Sequence, residues 1–181
     1  MAAVFALFAT GAEASAICDD LWFARNAVFD AAGYCFRSPL GRAVFDNGDC
    51  TGATAVVGRD IAARVTRIRA REQRLGCRVN TDRTELDLPD LGERRALDVQ
   101  PLRRTAESQC IGYIGPAILL RRAPEPEAEV IGAIRPGDSV LAQHEPEEGW
   151  AFASQVSRPE SLETALGWHR SELTICEARA G

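Results

Sequence analysis

The residues of this chain with the clearest chemistry are its six cysteines. No two of them have the Cys-x-x-Cys spacing that gives thioredoxin-like reactivity or chelates zinc. An even number of cysteines without such spacing is typical of exported proteins, in which thiols oxidise to structural disulfide bonds. We therefore expect the cysteines to hold the fold together rather than to react, and we expect no cofactor and no metal.

Other side chains that could perform catalysis are few and scattered. Neither His144 nor His169 has a second ligand at helical spacing, so a packing or surface role is favoured over metal binding. A hydrolase is disfavoured because no serine stands in a nucleophile elbow. The serines in question are Ser108, Ser139, Ser154 and Ser171. We therefore expect a protein that is not an enzyme.

One alternative stays open, an extracellular enzyme or enzyme inhibitor with its activity in the first half of the chain. Its candidates are Tyr34, Arg37, Asp46 and Asp49, near a loop bounded by two cysteines. Asp46 and Asp49 could share acid and base duties. Because both carboxylates stand at a predicted turn beside Gly48, capping of the loop is the simpler interpretation.

The first 16 residues are typical of a secretion signal. The apolar stretch 4–9 is followed by Ala14-Ser15-Ala16, and all six cysteines lie beyond the predicted cleavage point. No later apolar run approaches the roughly 20 residues that cross a bilayer. We expect a periplasmic or secreted protein without integral membrane association after cleavage. Because no cation precedes the apolar stretch, the competing interpretation is the helical N-terminus of a cytosolic protein.

The charge of the chain argues against nucleic acid as a partner. Its 21 basic residues are outnumbered by 26 acidic ones, which gives a net charge of -5. Nucleic-acid binding depends on an excess of clustered cations. Residues 18–77 carry nine Arg against seven acids, whereas residues from Cys110 onward carry six Arg against eleven acids. The first half could therefore contact an anionic wall polymer or the second half.

Residues 17–77 have the pattern of a small helical domain. Asp19 and Asp20 suit the cap and first turn of an amphipathic helix. A short helix can open at Pro39, and the apolar spacing over 59–75 predicts a third helix. The arginines of this third helix are predicted to face largely towards water; they are Arg59, Arg67, Arg69, Arg71 and Arg74. This part of the chain is therefore predicted to be helical.

Part of this region resembles the YARHG-type bacterial extracellular domain, in a cysteine-containing variant of unknown function. The resemblance is carried by residues 25–36, Ser38-Pro39-Leu40-Gly41, Phe45-Asp46-Asn47 and Cys50. The five residues that name the family stand here as Phe29-Asp30-Ala31-Ala32-Gly33, so an aromatic residue and the glycine are kept while Arg and His are lost. The resemblance implies an exported module and assigns no chemistry to it.

The composition changes twice in the second half. Residues 78–109 mix charges of both signs with prolines, which predicts a linker. From Cys110 onward the apolar period shortens to that of strands separated by turns. The predicted strands are 117–120, 130–134, 139–143, 150–154, 165–168 and 173–176.

Residues 110–181 resemble a bacterial SH3-like domain. The resemblance is carried by Leu120-Arg121-Arg122-Ala123-Pro124, Val130-Ile131-Gly132, Pro136-Gly137-Asp138, Gly149-Trp150 and Gly167-Trp168. It implies a small antiparallel β-barrel. The predicted fold class is therefore α+β, with a small disulfide-stapled helical domain, a charged linker and a C-terminal SH3-like β-barrel.

The cysteine spacing alone leaves the disulfide pairing open, but the division of the chain into modules makes some pairings more plausible than others. Pairings confined to one module are favoured because they tie the ends of that module or close a loop within it. They are Cys18 with Cys77, Cys35 with Cys50, and Cys110 with Cys176.

The leading functional hypothesis is an exported, non-enzymatic protein that contacts peptidoglycan or an envelope protein through the loops of the SH3-like module. Tyr113, Trp150 and Trp168 offer flat aromatic surface for such a ligand, and Glu125 begins an acidic rim of the first long loop. The competing interpretation places both tryptophans in the barrel core and makes the acidic rim an ordinary solvated face.

Overall fold

A computed structural model describes residues 11–158, 164–170, 173 and 175–181 of the chain. They belong to two compact units, Met1–Leu88 and Pro89–Gly181. The first unit is helical and the second contains an antiparallel sheet, so the α+β fold class is confirmed. Residues 1–10 of the predicted secretion signal lie outside the described residues, and the predicted cleavage point after Ala16 falls within the first helix.

The first helix, α1, spans Gly11–Ala31 and therefore begins earlier than predicted. The prediction that Asp19 and Asp20 form its first turn is wrong, because both lie inside the helix and are buried. The Asp19 carboxylate accepts a hydrogen bond from the Arg83 guanidinium and another from the Asp87 N–H at 3.1 Å. Its charge therefore holds a distant segment of the chain against α1 rather than capping the helix.

The other two helices of this unit agree with the sequence pattern. Helix α2 spans Pro39–Val44, and the Ser38 hydroxyl accepts a hydrogen bond from the Gly41 N–H at 3.1 Å. Helix α3 spans Arg59–Arg74 and packs against α1. Its buried apolar residues are Val65 and Ile68.

Aromatic side chains dominate the core of the helical unit. The Phe45 ring stacks on Phe36, with centroids 4.6 Å apart, and on Phe23, with centroids 5.6 Å apart. Behind α1 the chain turns at Gly33, whose φ of +76° is in the left-handed region that favours glycine. The Gly33 carbonyl accepts hydrogen bonds from Thr51, which brings the following loop back to α1.

The three cysteine pairs favoured from the sequence are the pairs in the structure. They are Cys18–Cys77 and Cys35–Cys50 in the helical unit and Cys110–Cys176 in the other unit. Each bond stays within its unit. The first connects α1 to the end of α3, and the third connects the strands that contain its two cysteines.

The second unit is a 7-stranded antiparallel sheet in the order β3-β2-β6-β5-β4-β1-β7. In the described part of the chain, β3 and β7 form its two edges and no ladder joins them, so the sheet is open and the predicted closed barrel is not found. A short helix, α4, precedes it at Leu91–Arg94. The strands are β1 Arg103–Tyr113, β2 Ile118–Arg121, β3 Val130–Ile134, β4 Ser139–His144, β5 Ala151–Ser157, β6 Thr164–His169 and β7 Cys176–Ala180.

The segment predicted as a linker, 78–109, is divided between the two units. Residues up to Leu88 belong to the helical unit, and residues from Pro89 onward belong to the sheet unit. The latter include α4 and the first half of β1, a strand that sequence reasoning missed. The exposed stretch Thr105–Ser108 lacks the apolar alternation typical of a strand, and the ladder to β4, which pairs Arg103 with His144 and Ser108 with Ala142, shifts register across it.

Residues before β1 pack onto the sheet. Leu97 lies in a core cluster with aromatic residues of β5 and β6. The Leu102 carbonyl accepts a hydrogen bond from the Glu145 N–H at 2.8 Å. The fully buried Arg94 donates through Nε to the Gln100 amide oxygen at 3.2 Å. This segment is therefore a structural part of the sheet unit.

Candidate functional site

The aromatic residues predicted to face a ligand lie in the core. Tyr113 is 5% exposed, Trp150 is 6% exposed and Trp168 is fully buried. The Tyr113 hydroxyl donates to the Pro116 carbonyl at 2.9 Å, and the Trp168 Nε1–H donates to the Val99 carbonyl at 2.9 Å. Because a small sheet needs large side chains to fill its core, these rings stabilise the unit and do not form a flat binding surface.

Glu125 is exposed, as predicted, in an acidic loop between β2 and β3. In the same loop the Glu129 carboxylate accepts a hydrogen bond from Arg122 at 2.8 Å, and Asp98 lies 3.5 Å from the same guanidinium. The hydrogen bond to Glu129 and the charge of Asp98 raise the pKa of Arg122. The pairing of Glu129 shows that part of the acidic charge is neutralised within the unit.

The histidines are buried. His144 Nδ1 lies 2.8 Å from the Ser154 hydroxyl, which also accepts a hydrogen bond from the Gln143 N–H at 2.8 Å. His169 is 2% exposed. A histidine beside a serine can activate a nucleophile, but both members of this pair are buried in the sheet unit. Ser171, another serine considered above, lies outside the described residues.

The polar loop after α2 in the helical unit is held in place by hydrogen bonds of its own side chains. The Asp46 carboxylate accepts a hydrogen bond from the Gly48 N–H at 2.8 Å, which is the loop-capping arrangement. Asn47 bridges the loop to Phe36, accepting from its N–H at 2.9 Å and donating to its carbonyl at 2.8 Å. Arg37 and Asp49 are exposed. The loop-capping interpretation of Asp46 is therefore confirmed.

The candidate ligand site of the helical unit is an open groove of about 480 Å³ that is lined largely by polar and charged side chains. It lies between α1, α3 and the segment that follows α3, and we call it the arginine groove. It is lined by Trp22, Arg25, Arg69, Glu72, Gln73, Gly76, Cys77, Arg78, Val79 and Thr81. Its volume is in the range of small-ligand sites.

Two antiparallel helices build the groove. The Cys18–Cys77 disulfide joins the first half of α1 to the residues just after α3, and the Arg25–Glu72 ion pair joins the two helices one to two turns further along. The contact further along α1, at Arg25, has its partner at Glu72, which comes before Cys77 in the chain. The two helices therefore run in opposite directions. Side chains spaced three or four residues apart on each helix then face the same groove.

The third wall of the groove is the segment 76–81, and hydrogen bonds anchor it. The Thr81 carbonyl accepts a hydrogen bond from the Leu40 N–H at the start of α2, at 3.0 Å. The following residues bind the buried carboxylate of Asp19, as described above. The disulfide at Cys77 fixes the other end. The wall is thus held at both ends, and the groove is part of the folded unit.

Two of the three guanidinium groups in the groove are oriented by neighbours. Arg25 Nε donates to both carboxylate oxygens of Glu72, at 3.1 and 3.0 Å. The Arg69 guanidinium carbon lies 5.9 Å from the centroid of the Phe29 ring. Arg78 is exposed beside them. Three cations face one carboxylate in this groove, so it favours an anionic ligand.

The groove contains no acid–base pair or nucleophile arranged for catalysis among its described residues. Nor does the described part of the chain contain a group of three or more His, Cys, Asp or Glu side chains able to hold a metal ion. Sequence reasoning missed the groove because it treated the arginines of α3 as a solvated face. The available signal was a pair of helical stripes, Trp22 with Arg25 and Arg69 with Glu72, beside one disulfide.

Comparison with known proteins identifies two regions. Residues 4–60 match the YARHG domain, and residues 76–181, more than half of the chain, match a family described as Domain of unknown function (DUF4453). The chain belongs to the DUF4453 family. No curated protein and no solved structure matches it. The DUF4453 match contains the whole sheet unit, and an SH3-like family is not found there.

The arginine groove draws on both matched regions. Trp22 and Arg25 belong to the YARHG match, whereas the wall from Gly76 onward belongs to the DUF4453 match. The YARHG domain is an extracellular domain, and together with three disulfide bonds it indicates an extracellular or secreted protein. Among the described residues, no helix has the length and apolar character needed to span a membrane.

Proposed function

We propose that this protein is an exported, non-enzymatic component of the cell envelope that binds peptidoglycan in the arginine groove. The observation that carries the proposal is a groove of about 480 Å³ lined by three arginines and by one carboxylate, that of Glu72. The chain as a whole is acidic, with a net charge of -5. A locally basic groove on an acidic protein therefore selects where an anionic ligand binds.

The dimensions of the groove favour peptidoglycan over an envelope protein. Stable protein–protein interfaces bury about 800 Å² on each partner and are broad. The arginine groove instead accommodates one short segment of an anionic polymer, and peptidoglycan carries carboxylates on short peptides. All groove residues also follow the predicted cleavage point at Ala16, so they remain in the exported protein.

The sheet unit has a supporting part in this proposal. The order of its turn and strand motifs in the sequence supports an SH3-like domain, and its strands form one antiparallel sheet. With Tyr113, Trp150 and Trp168 in the core, its described aromatic side chains contribute stability rather than contact area. We assign the ligand to the helical unit for this reason.

The test is sedimentation of the oxidised protein, residues 17–181, with purified peptidoglycan sacculi. We expect the protein to pellet, and we expect Arg69→Gln with Arg78→Gln to weaken binding about tenfold, since each substitution removes a charged hydrogen-bond donor. The matched control is Arg59→Gln with Arg74→Gln, which removes the same charge from exposed positions of α3 outside the groove.

Failure of the unaltered protein to pellet with sacculi contradicts the proposal. So does equal weakening by the control pair, because the effect would then come from overall charge rather than from the groove. Capture of an envelope protein by the same chain, without affinity for sacculi, would replace peptidoglycan by a protein partner.

A further inference from the structure

We infer that the chemical group recognised in the arginine groove is a peptide carboxylate, bound by the Arg25 guanidinium beside Trp22. This inference rests on the proposed function and names the part of peptidoglycan that makes the contact. It depends on how Arg25 is held, on the charge of Glu72 and on the apolar side of the groove.

Arg25 is oriented for a ligand before one binds. Its Nε is engaged by both oxygens of Glu72, at 3.1 and 3.0 Å, and its side chain is 19% exposed. A guanidinium has five N–H donors, so four remain on its two terminal nitrogens. A planar pair of such donors matches the two oxygens of a carboxylate. Because Glu72 already fixes the side chain, binding costs little further conformational entropy.

The charge of Glu72 favours a carboxylate over a phosphate. The Glu72 carboxylate is 15% exposed and lies next to the donors that a ligand would use. A phosphate group carries up to two negative charges, whereas a carboxylate carries one, so repulsion from Glu72 is greater for phosphate. Arg69 and Arg78 offset a single additional anion, and among the described side chains neither forms an ion pair.

The remaining surface of the groove suits the body of a short peptide. The apolar lining consists of the partly exposed Val79 and Cys77 of the Cys18–Cys77 disulfide, whereas Trp22 is only 6% exposed and offers little contact area. Aliphatic and sulfur atoms gain dispersion contacts with small apolar side chains. A guanidinium beside an apolar wall is therefore complementary to a carboxylate on a peptide of small residues, such as the stem peptides of peptidoglycan.

The test compares three preparations of sacculi with one set of variants. Untreated sacculi are compared with sacculi whose carboxylates have been converted to amides and with sacculi stripped of phosphate polymers. We expect amidation to weaken pelleting at least about tenfold, the size expected for loss of charge-assisted hydrogen bonds. Removal of phosphate polymers is expected to leave binding unchanged, and added inorganic phosphate is expected not to displace the protein.

The variants separate the shape of the guanidinium from its charge. Arg25→Lys keeps the cation and its ion pair with Glu72 but lacks the planar fork, and we expect about tenfold weaker binding. Arg74→Lys, on the exposed part of α3, is the matched control and is expected to bind normally. Far-UV circular dichroism verifies that both variants are folded.

The two proposals fail in different ways. If the unaltered protein does not pellet with untreated sacculi, the proposed function fails, and this inference fails with it. If it pellets equally well with amidated sacculi, or if Arg25→Lys binds as the unaltered protein does, the function stands and the carboxylate assignment is wrong. Loss of pelleting after removal of phosphate polymers would replace the carboxylate by a phosphate.

Discussion

The two units differ in the exposure of the side chains that could contact a ligand. In the helical unit, arginines surround an open groove whose walls are tied by the Cys18–Cys77 disulfide. In the sheet unit, the residues that look most reactive in the sequence are enclosed: His144 beside Ser154, and Trp168 in the core. Residue type alone therefore does not identify a site, because a small sheet places histidines and tryptophans in its core. Residues classed as a solvated face can line a site instead.

The largest expected effect tests how much each unit depends on its long disulfide. Replacing both Cys18 and Cys77 by serine opens a bond with a sequence separation of 59 residues. The loop-entropy model gives a loss of about 4 kcal/mol in the free energy of unfolding. We expect the helical signal in far-UV circular dichroism to unfold at much lower urea concentration.

The matched change in the sheet unit is replacement of Cys110 and Cys176 by serine, with a separation of 66 residues. The loop model predicts a similar loss for that unit. The helical signal should then keep its original midpoint. A shift of the helical transition in this second variant would show that the two units do not unfold independently.

The next effect tests whether the segment before β1 is part of the sheet unit. Trp168→Phe removes the Nε1–H that donates to the Val99 carbonyl at 2.9 Å and also shrinks a fully buried side chain. We expect a loss of about 2 kcal/mol in the free energy of unfolding, from an unsatisfied carbonyl and a small cavity. Urea unfolding followed by the fluorescence of the remaining tryptophans measures it.

Trp150→Phe is the control, since it shrinks a ring of the same core cluster without removing the bond to Val99. A smaller loss than in Trp168→Phe is expected. Equal losses would mean that the hydrogen bond to the segment before β1 contributes nothing measurable.

Much of the fold could be predicted from local patterns. Ser38 and Pro39 begin α2 by ordinary capping rules, and the apolar spacing of α3 places Val65 and Ile68 in the core. β3 occupies the predicted residues, Val130–Ile134. These elements depend on neighbours in sequence, which a pattern records.

The features that sequence reasoning missed depend on distant partners. The first half of β1 is polar and is a strand because it pairs with β4. Asp19 is buried inside α1 because Arg83, 64 residues away, supplies its counter-charge. The arginine groove likewise combines residues of α1, α3 and the segment after it. Local periodicity shows a stripe on each helix, and only the fold brings the stripes together into one groove.

A smaller effect tests the turn at Gly33 in the helical unit, where the following loop is held against α1. Gly33→Ala places a side chain at a φ of +76°, and its Cβ would lie 2.5 Å from the Thr51 hydroxyl oxygen. The left-handed conformation costs an alanine about 1–2 kcal/mol, and Thr51 must also move. We expect thermal unfolding of the helical unit to shift accordingly.

Gly52→Ala is the control for Gly33→Ala, because a Cβ there meets nothing within 4 Å. Its expected change is less than about 0.5 kcal/mol. If both substitutions cost the same, the turn at Gly33 is not the constraint that the structure indicates.

The smallest expected effect compares single charges of the two units in the binding assay. Arg78→Gln removes an exposed cation from the arginine groove, and we expect sedimentation with sacculi to weaken about two- to fivefold, as for an exposed ion pair. Glu125→Gln removes an exposed anion from the loop between β2 and β3, and we expect no change. Raising the salt concentration should reduce the effect of Arg78→Gln, because salt screens exposed charges. A clear change in Glu125→Gln with none in Arg78→Gln would return the ligand to the sheet unit, where the sequence alone had placed it.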